Sequence, residues 1–551
     1  MQNGVKLNLY GGGKLLCLYL KINEGFFYKK GKKMNELEKN FCNLLKANAK
    51  LIQIVSYETL RFHGMLIHVS EEIERELYVW NRVEGIKKWA GNGFDEEESS
   101  AETPDSALDF YNEHDNMILL LEDFYPDLND NAPRMIRTFR NIAMQDSNNK
   151  TLVFSQPFLQ LPKELEKDVH IFELPYPDFK DLKAIYIKVC EKYNISQSYL
   201  DHELIEAALG LTIMEAEKAF SLAYVENGQL TGAEVPLVIR EKENVIKKSG
   251  FLEYYHPKET MSDVGGLENL KEWLQKRGRG FDKYAKDFGL TYPKGILLLG
   301  IPGTGKSLTA KAVGNLWHFP LLRLDMGKIF GGIVGESESN IREALKIAEA
   351  IAPSILWIDE IEKGMSGISS SGSTDGGTTA RVLGTFLTWM QEKTKPVFVV
   401  ATANDISQLP SELLRKGRVD EIFFVDLPTE NERKEILKIH LQRKGRKPED
   451  FDIEKLAKES KGFSGAELEE VVKEALFQAY DEAKEIANEH LSAAIKKTYP
   501  LSRTMHETIT QMRKWAGSRA VNASNEEPEP LDDKGKDVPK LKQEKYNNPF
   551  A

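Results

Sequence analysis

The sequence predicts an α/β fold: a doubly wound, mostly parallel sheet followed by a small helical domain, with a weaker version of the same pair ahead of it. Three observations carry this. Between Gly295 and Pro428 the short apolar runs "GILLLG", "LLRLD", "SILWIDE", "VFVVATAN" and "EIFFVDLP" alternate with helical patterns such as Ser307–Leu316 and Ser339–Ala350. Runs apolar on both faces are how buried parallel strands read, and helices between them make a layered α/β arrangement. From about Lys444 to Ala516 the pattern turns purely helical. Upstream, "LIQIVSY", "MILLLEDF", "TLVFSQP" and "HIFELP" repeat the strand–helix order, and "LPKELEKDVHIFELPYP" (Leu161–Pro177) echoes "LPSELLRKGRVDEIFFVDLP" (Leu409–Pro428).

Size and composition bound the reading. A chain of 551 residues exceeds one ordinary core and implies two or three domains. Hydrophobic content of 41% with 29% charged residues is that of a soluble globular protein rather than a disordered one. A formal net charge of -11 argues against a broad nucleic-acid-binding face, and so against a helicase or clamp loader. Cys17, Cys42 and Cys190 are scattered and odd in number, which suits a reducing compartment and argues against a disulfide framework or a zinc site. No apolar run reaches the length that spans a bilayer.

Taken in order, residues 1–33 form a basic leader with seven lysines and one acid, Glu24, around the run "LLCLYL". The run is too short for a signal peptide, and the Arg and Ser of a transit peptide are missing, so the leader reads as disordered or as preceding a natural start at Met34. Residues 34–248 form the first α/β and helical pair, 249–262 a linker, and 263–443 the second α/β domain. Residues 444–516 form its helical lid, where Ser464 is the N-cap and Glu467 the capping-box residue of "FSGAELEEVVKEALFQAY". Residues 517–551 have little apolar content and read as a disordered tail. "FDEEESSAETPDS" (Phe94–Ser106) reads as an acidic solvated loop, and "GMSGISSSGSTDGGTT" (Gly364–Thr379) as a flexible Gly/Ser loop.

"GIPGTGKS", Gly300–Ser307, follows a strand and opens a helix, which is the full P-loop pattern in its required context. Its glycines let the backbone turn N–H groups inward around a phosphate, and the helix N-terminus adds partial positive charge. Lys306 then reaches the terminal phosphates and Ser307 ligates Mg²⁺. "ILWIDE" ends in Asp359 and Glu360. Two acids at a strand end are ordinarily just solvated, but after a P-loop the first holds the Mg²⁺ shell and the second polarises an attacking water. Asn404 ends "VVATAN" at the same sheet edge, where an amide fixes that water or, more simply, forms a turn.

Together with "DVGGLENLKEWL", "VGESESNIREAL", "LLRKGRVDEIFFVDLP" and "GFSGAELEEVVKEA", these motifs resemble the ATPase domain and lid of the AAA family, over about half the chain. The two-part organisation of the whole chain is similar to AAA proteins of cyanobacteria and algal plastid genomes. The resemblance implies a P-loop NTPase (AAA+) fold, ATP and Mg²⁺ as cofactors, ATP hydrolysis, and a homo-oligomeric ring, a hexamer in that family. It also implies an unidentified protein partner and a cytoplasmic location, or the chloroplast stroma for a plastid-encoded chain. Residue by residue, Gly300, Ile301, Pro302, Gly303, Thr304, Gly305, Lys306, Ser307 and Leu308 would hold the nucleotide phosphates. Asp263, Val264 and Gly265 would line the adenine pocket, with His440 at the ribose side and Gly465 and Ala466 closing it from the lid. Ser307 and Asp359 would hold the metal, and Glu360, Lys306 and Asn404 would serve catalysis. Arg415 and Arg418 match the arginines that reach a neighbouring subunit's γ-phosphate, where a guanidinium neutralises transition-state charge.

Two departures matter. The family usually places an aromatic two residues before the Gly of "GESE" to grip a peptide in the ring's pore; this chain has Ile333, in "FGGIVGESE". The first half has "QIVSYETLR" where a P-loop would be, Glu122 then Asp123 in place of Asp359 then Glu360, and Lys167 where Arg415 stands, with no counterpart of Arg418. A domain that cannot cradle phosphate has no use for groups that sense it. The sequence therefore reads as one competent ATPase module behind an inactive copy, remodelling a protein partner. The alternative is a slow nucleotide switch without substrate threading, which the missing pore aromatic favours.

Overall fold

The computed structural model describes residues 33–91, 93–98, 103–145, 149–195, 201–282, 284–285, 287–330, 336–364, 376–410, 412–415 and 417–531. The chain divides into two units between Lys242 and Glu243. The leader, Ile333 and most of the Gly/Ser loop lie outside the described residues.

The first unit holds seven strands: β1 (Leu51–Val55), β2 (Glu76–Asn81), β3 (Gly85–Trp89), β4 (Phe94–Glu98), β5 (Met117–Leu121), β6 (Thr151–Gln156) and β7 (Val169–Glu173). Their order across the sheet is β4-β3-β2-β5-β6-β1-β7. Helices α1 (Glu36–Lys46), α2 (Thr59–Glu72), α3 (Pro104–Glu113) and α4 (Pro133–Ala143) cover the two faces. Alternate residues of β5 feed opposite cores: Leu119 and Leu121 pack with Phe139 and Phe154, whereas Ile118 and Leu120 pack with Phe62 and Leu66. That two-sided burial is why the strands read as unbroken apolar runs. Helices α5 (Phe179–Lys192), α6 (His202–Ala207), α7 (Ile213–Asn227) and α8 (Val235–Lys248) follow, and the division between units falls within α8.

The second unit opens with β8 (Leu252–Tyr255) and α9 (Glu268–Gly278). It continues through β9 (Gly295–Gly300), α10 (Lys306–Trp317), β10 (Leu321–Leu324), α11 (Met326–Phe330), α12 (Glu336–Ala350) and β11 (Ser354–Ile358). Then come α13 (Gly376–Glu392), β12 (Val397–Ala403) and β13 (Glu421–Val425). The lid comprises α14 (Glu430–Arg443), α15 (Ile453–Glu459), α16 (Gly465–Asp481) and α17 (Asn488–Lys497); α18 (Leu501–Thr504), α19 (His506–Ala516) and β14 (Val521–Asn522) follow. Read from β8, the sheet runs β8-β10-β11-β12-β9-β13-β14. In each unit the five strands common to both sheets run parallel, and numbered along the chain they lie in the order second, third, fourth, first, fifth. The repeat seen in the sequence is thus a repeat of topology.

Four boundaries differ from the sequence reading. Phe94–Glu98, expected as solvated loop, is strand β4, paired antiparallel with β3 so that Lys88 stands opposite Asp95. The expected linker contributes β8, the antiparallel edge beside β10. The lid begins with α14 rather than at Lys444, because Leu437 and Leu441 are fully buried in the lid core with Leu468 and Leu491. Most substantially, residues 517–531 are not a disordered tail. Val521 and Asn522 extend the sheet beside β13, Ala523 is fully buried in the core, and its carbonyl accepts the amide of Leu270 on α9. Beyond it, Glu529 Oε1 accepts the amide of Glu430 at 2.7 Å and Oε2 pairs with the buried Arg433 at 3.1 Å. The segment straps the sheet to the first turn of α14, where the lid begins. Sequence composition missed it because its contacts are main-chain and carboxylate contacts rather than apolar ones.

Candidate active site

The site lies at the carboxyl ends of β9, β11 and β12. Gly300 closes β9 so near β13 that a Cβ there would lie 2.0 Å from the Val425 carbonyl oxygen. Gly305, at φ 89, is the N-cap of α10 and lets the turn enter the helix. Lys306 is buried, and its Nζ donates to the carbonyls of Gly300 at 2.9 Å and Ile301 at 2.7 Å. Burial lowers its pKa to about 8, opposed by the acidic charges of Glu362, Asp359 and Glu360. Within the same turn, Thr304 Oγ1 donates to the Ile301 carbonyl at 2.8 Å.

Beside this turn a chain of hydrogen bonds joins three elements. Ser307 Oγ, in the first turn of α10, donates to Asp359 Oδ1 at 2.7 Å. Thr402 Oγ1 on β12 donates to the same oxygen at 2.7 Å and accepts the Glu360 amide at 2.9 Å. Glu360 takes a left-handed backbone, φ 49, which turns its carboxylate back over the strand end. There Oε1 accepts from Asn404 Nδ2 at 2.9 Å, and Oε2 pairs with Lys363. Glu362 folds beneath, accepting the Asn404 amide through Oε1 at 2.9 Å. It is buried, its Oε2 has no hydrogen-bond partner among the described residues, and burial raises its pKa.

The sequence anticipated Lys306, Ser307, Asp359, Glu360 and Asn404, and the structure gathers them. It did not anticipate Thr402, Glu362 or Lys363. Thr402 had a readable signal: it is a hydroxyl at the end of the same apolar run, two residues before Asn404.

The nominated base-side residues converge from the lid. The loop Asp263–Leu267 lies on α14: the Gly266 amide donates to Glu435 and the Leu267 amide to Glu432. A Cβ on Gly265 would lie 2.7 Å from Ile436 Cγ1. Val264 is buried, and Asp263 pairs with Arg443 at 2.8 Å; against the upward pull of burial, hydrogen bonds from Thr260 and then Arg443 hold its carboxylate below the usual range. His440 is half-buried on the same helix, and burial lowers its pKa. At the start of α16, the Ala466 amide donates to the Gly303 carbonyl at 2.9 Å, bringing Gly465 against the P-loop turn. Arg415 and Arg418 stand apart from this cluster, on the turn before β13. Arg415 is exposed, Arg418 is half-buried, and neither makes an ion pair with a described residue.

For Mg²⁺, the Ser307 hydroxyl and the Asp359 carboxylate already share a contact and offer the hard oxygen donors that ion prefers. The residues present fit the ion.

Known proteins share this chain's sequence pattern. Residues 296–427 match the model of the ATPase family associated with various cellular activities (AAA), and residues 450–493 that of the AAA+ lid domain. Residues 37–174 and 182–249 match the N-terminal and second domains of SpoVK-like AAA ATPases. The uncharacterized AAA domain-containing protein ycf46 of Pyropia yezoensis is 41% identical over 490 residues, covering 87% of this chain and 98% of the relative. The protein of the same description from Guillardia theta is 38% identical, over 88% of this chain and 96% of its own length. The cell division cycle protein 48 homolog of Archaeoglobus fulgidus is 35% identical over 265 residues, which cover 44% of this chain and 36% of that protein. With likeness at this level along nearly the whole length of the algal relatives, the chain belongs to the AAA ATPase family.

Proposed function

We propose that the second unit binds Mg-ATP and hydrolyses it, in an oligomeric ring that remodels a protein partner, and that the first unit is an inactive copy. The observation that carries this is the hydrogen-bonded chain Ser307–Asp359–Thr402–Glu360–Asn404 beside a P-loop turn closed around the Lys306 amine. Arriving phosphate oxygens take Lys306 from the Gly300 and Ile301 carbonyls, and the amides of Gly303–Ser307 converge on them. Mg²⁺ held by Ser307 and Asp359 would offset phosphate charge. Glu360 accepts the proton of the attacking water, and Asn404, now its hydrogen-bond donor, is placed to hold that water. Arg415 and Arg418 belong to the neighbouring copy's site in this reading. Tyr284 and Phe288 on one segment and Phe477 and Tyr480 on α16 are exposed apolar surface for copies to cover. No described helix is long and apolar enough to cross a membrane, and the reading places the chain in the cytoplasm or plastid stroma.

A second reading, a slow nucleotide switch, draws on the Glu360 carboxylate, whose two oxygens are both engaged, by Asn404 and Lys363. Measuring nucleotide binding and phosphate release by the full chain tests the proposal. Lys306→Ala loses binding. Glu360→Gln binds ATP and hydrolyses it about 10²–10⁴-fold more slowly. Normal turnover by Glu360→Gln removes the catalytic assignment, and turnover indifferent to every unfolded protein offered favours the switch.

A further inference from the structure

The beginning of α2 in the first unit reaches two of that unit's own later helices. Glu58, the last residue of the turn between β1 and α2, is buried, and its Oε1 accepts the amide of Ile213 at 2.9 Å. Ile213 is the first residue of α7, so the carboxylate meets a helix N-terminus, where negative charge is favoured. Arg61 donates through one nitrogen to the Pro175 carbonyl and pairs through another with Asp181 at 3.0 Å, in the first turn of α5.

The second unit has the same corner with different contents. Thr212 and Glu215 form the capping box of α7 as Ser464 and Glu467 form that of α16, so Ile213 takes the position of Gly465. There the strand–helix turn is the longer Ile301–Gly305, and its hydrogen bond to the start of α16 is backbone to backbone, the Ala466 amide donating to the Gly303 carbonyl. The first unit has the short turn Ser56–Glu58, with a carboxylate spanning to the lid helix.

We propose that Glu58 and Arg61 form a clasp that fastens the helical part of the first unit to its sheet in place of a nucleotide. The unit then keeps one internal arrangement whether or not ATP is present. Two contacts from one helix start to two different helices resist both translation and rotation of the helical part, which neither contact does alone. The clasp stands on the first unit's own contacts and does not require the second unit to hydrolyse anything.

Hydrogen exchange of the full chain, followed by mass spectrometry on peptides covering residues 178–184 and 212–218, tests it. Glu58→Ala removes the acceptor, and exchange at the start of α7 rises by about tenfold or more, as expected for an amide that loses a buried partner. Glu58→Asp keeps the charge but shortens the reach and gives a rise in the same peptide. Glu58→Gln keeps an acceptor oxygen at the same reach and stays protected. Arg61→Ala raises exchange at the start of α5. Mg-ATP leaves both peptides of the parent unchanged. The clasp is overturned if Glu58→Asp and Glu58→Gln exchange alike, or if Mg-ATP protects either peptide in the parent. Should Glu58→Ala fail to fold, the Asp and Gln pair still decides.

Discussion

Asn404 Nδ2 donates to Glu360 Oε1 at 2.9 Å, and the Asn404 amide donates to Glu362 Oε1 at the same distance. One asparagine thereby joins two carboxylates of a single turn, and through it Glu362 bears on the position of the catalytic candidate Glu360. Glu362→Ala leaves the Asn404 amide without its acceptor, at about 1–3 kcal/mol. The expected outcome is a roughly tenfold lower hydrolysis rate with ATP affinity unchanged, and near-parent activity in Glu362→Gln, which keeps an acceptor oxygen. Steady-state kinetics beside equilibrium nucleotide binding checks the split.

The arginine assignment is a statement about two chains. Arg418→Ala binds ATP but hydrolyses it poorly, and mixing it with Lys306→Ala protein restores part of the activity, because each variant supplies what the other lacks. Activity in the mixture that never exceeds that of either variant alone means that the arginines act within one chain or not at all.

Glu529 carries the strap. Arg433 is buried and keeps the Pro428 and Ala457 carbonyls as partners, so Glu529→Ala removes its one carboxylate and also frees the Glu430 amide. A loss of about 1–3 kcal/mol follows for the second unit. Glu485, whose exposed carboxylate pairs with Arg446 at 3.0 Å, costs only a few tenths on the same change, by about the measure of a surface contact. Urea unfolding of the two variants, read on the second unit's transition, checks the contrast.

Burial raises Glu58 to about 7, with Arg61 on α2 pulling down and Asp181 on α5 and Glu215 on α7 pushing up. Its folded pKa lies above the unfolded value of 4.5, so the folded state holds the proton longer, and stability falls as pH rises from about 4.5 to 7. Glu58→Gln removes that slope while retaining an acceptor for Ile213. Relative to the parent it should gain first-unit stability on going from pH 5 to pH 8, by no more than about 3 kcal/mol. Denaturant midpoints at the two pH values measure it; an equal difference at both refutes the assignment.

Much of this was legible because its signals are local. The P-loop, Asp359 and Glu360 sit at fixed short spacings, and the five parallel strands announce themselves as apolar runs. What escaped depends on register or on main-chain contacts. Glu362 works through the Asn404 amide just past the end of β12, and Thr402 matters only because β11 and β12 pair with Ile358 beside Ala401. Strand β4 was hidden by its run of acids, of which Asp95 and Glu96 stand in register opposite Lys88 and Lys87 of β3. The strap, with Ala523 as its buried apolar residue, has the composition of a disordered tail and the contacts of a fastening.

The two outer strands of the second sheet, β8 and β14, are also the first and last strands of that unit along the chain. During synthesis the first unit has all its strands out well before the P-loop is made, since domains fold in the order they emerge. The second cannot seat Ala523 or pair Arg433 with Glu529 until residues 523–529 leave the ribosome. A ribosome stalled within α19 would therefore display a finished first unit tethered to a second unit with an open sheet edge and an unfastened α14, the form most exposed to mispairing and to quality control.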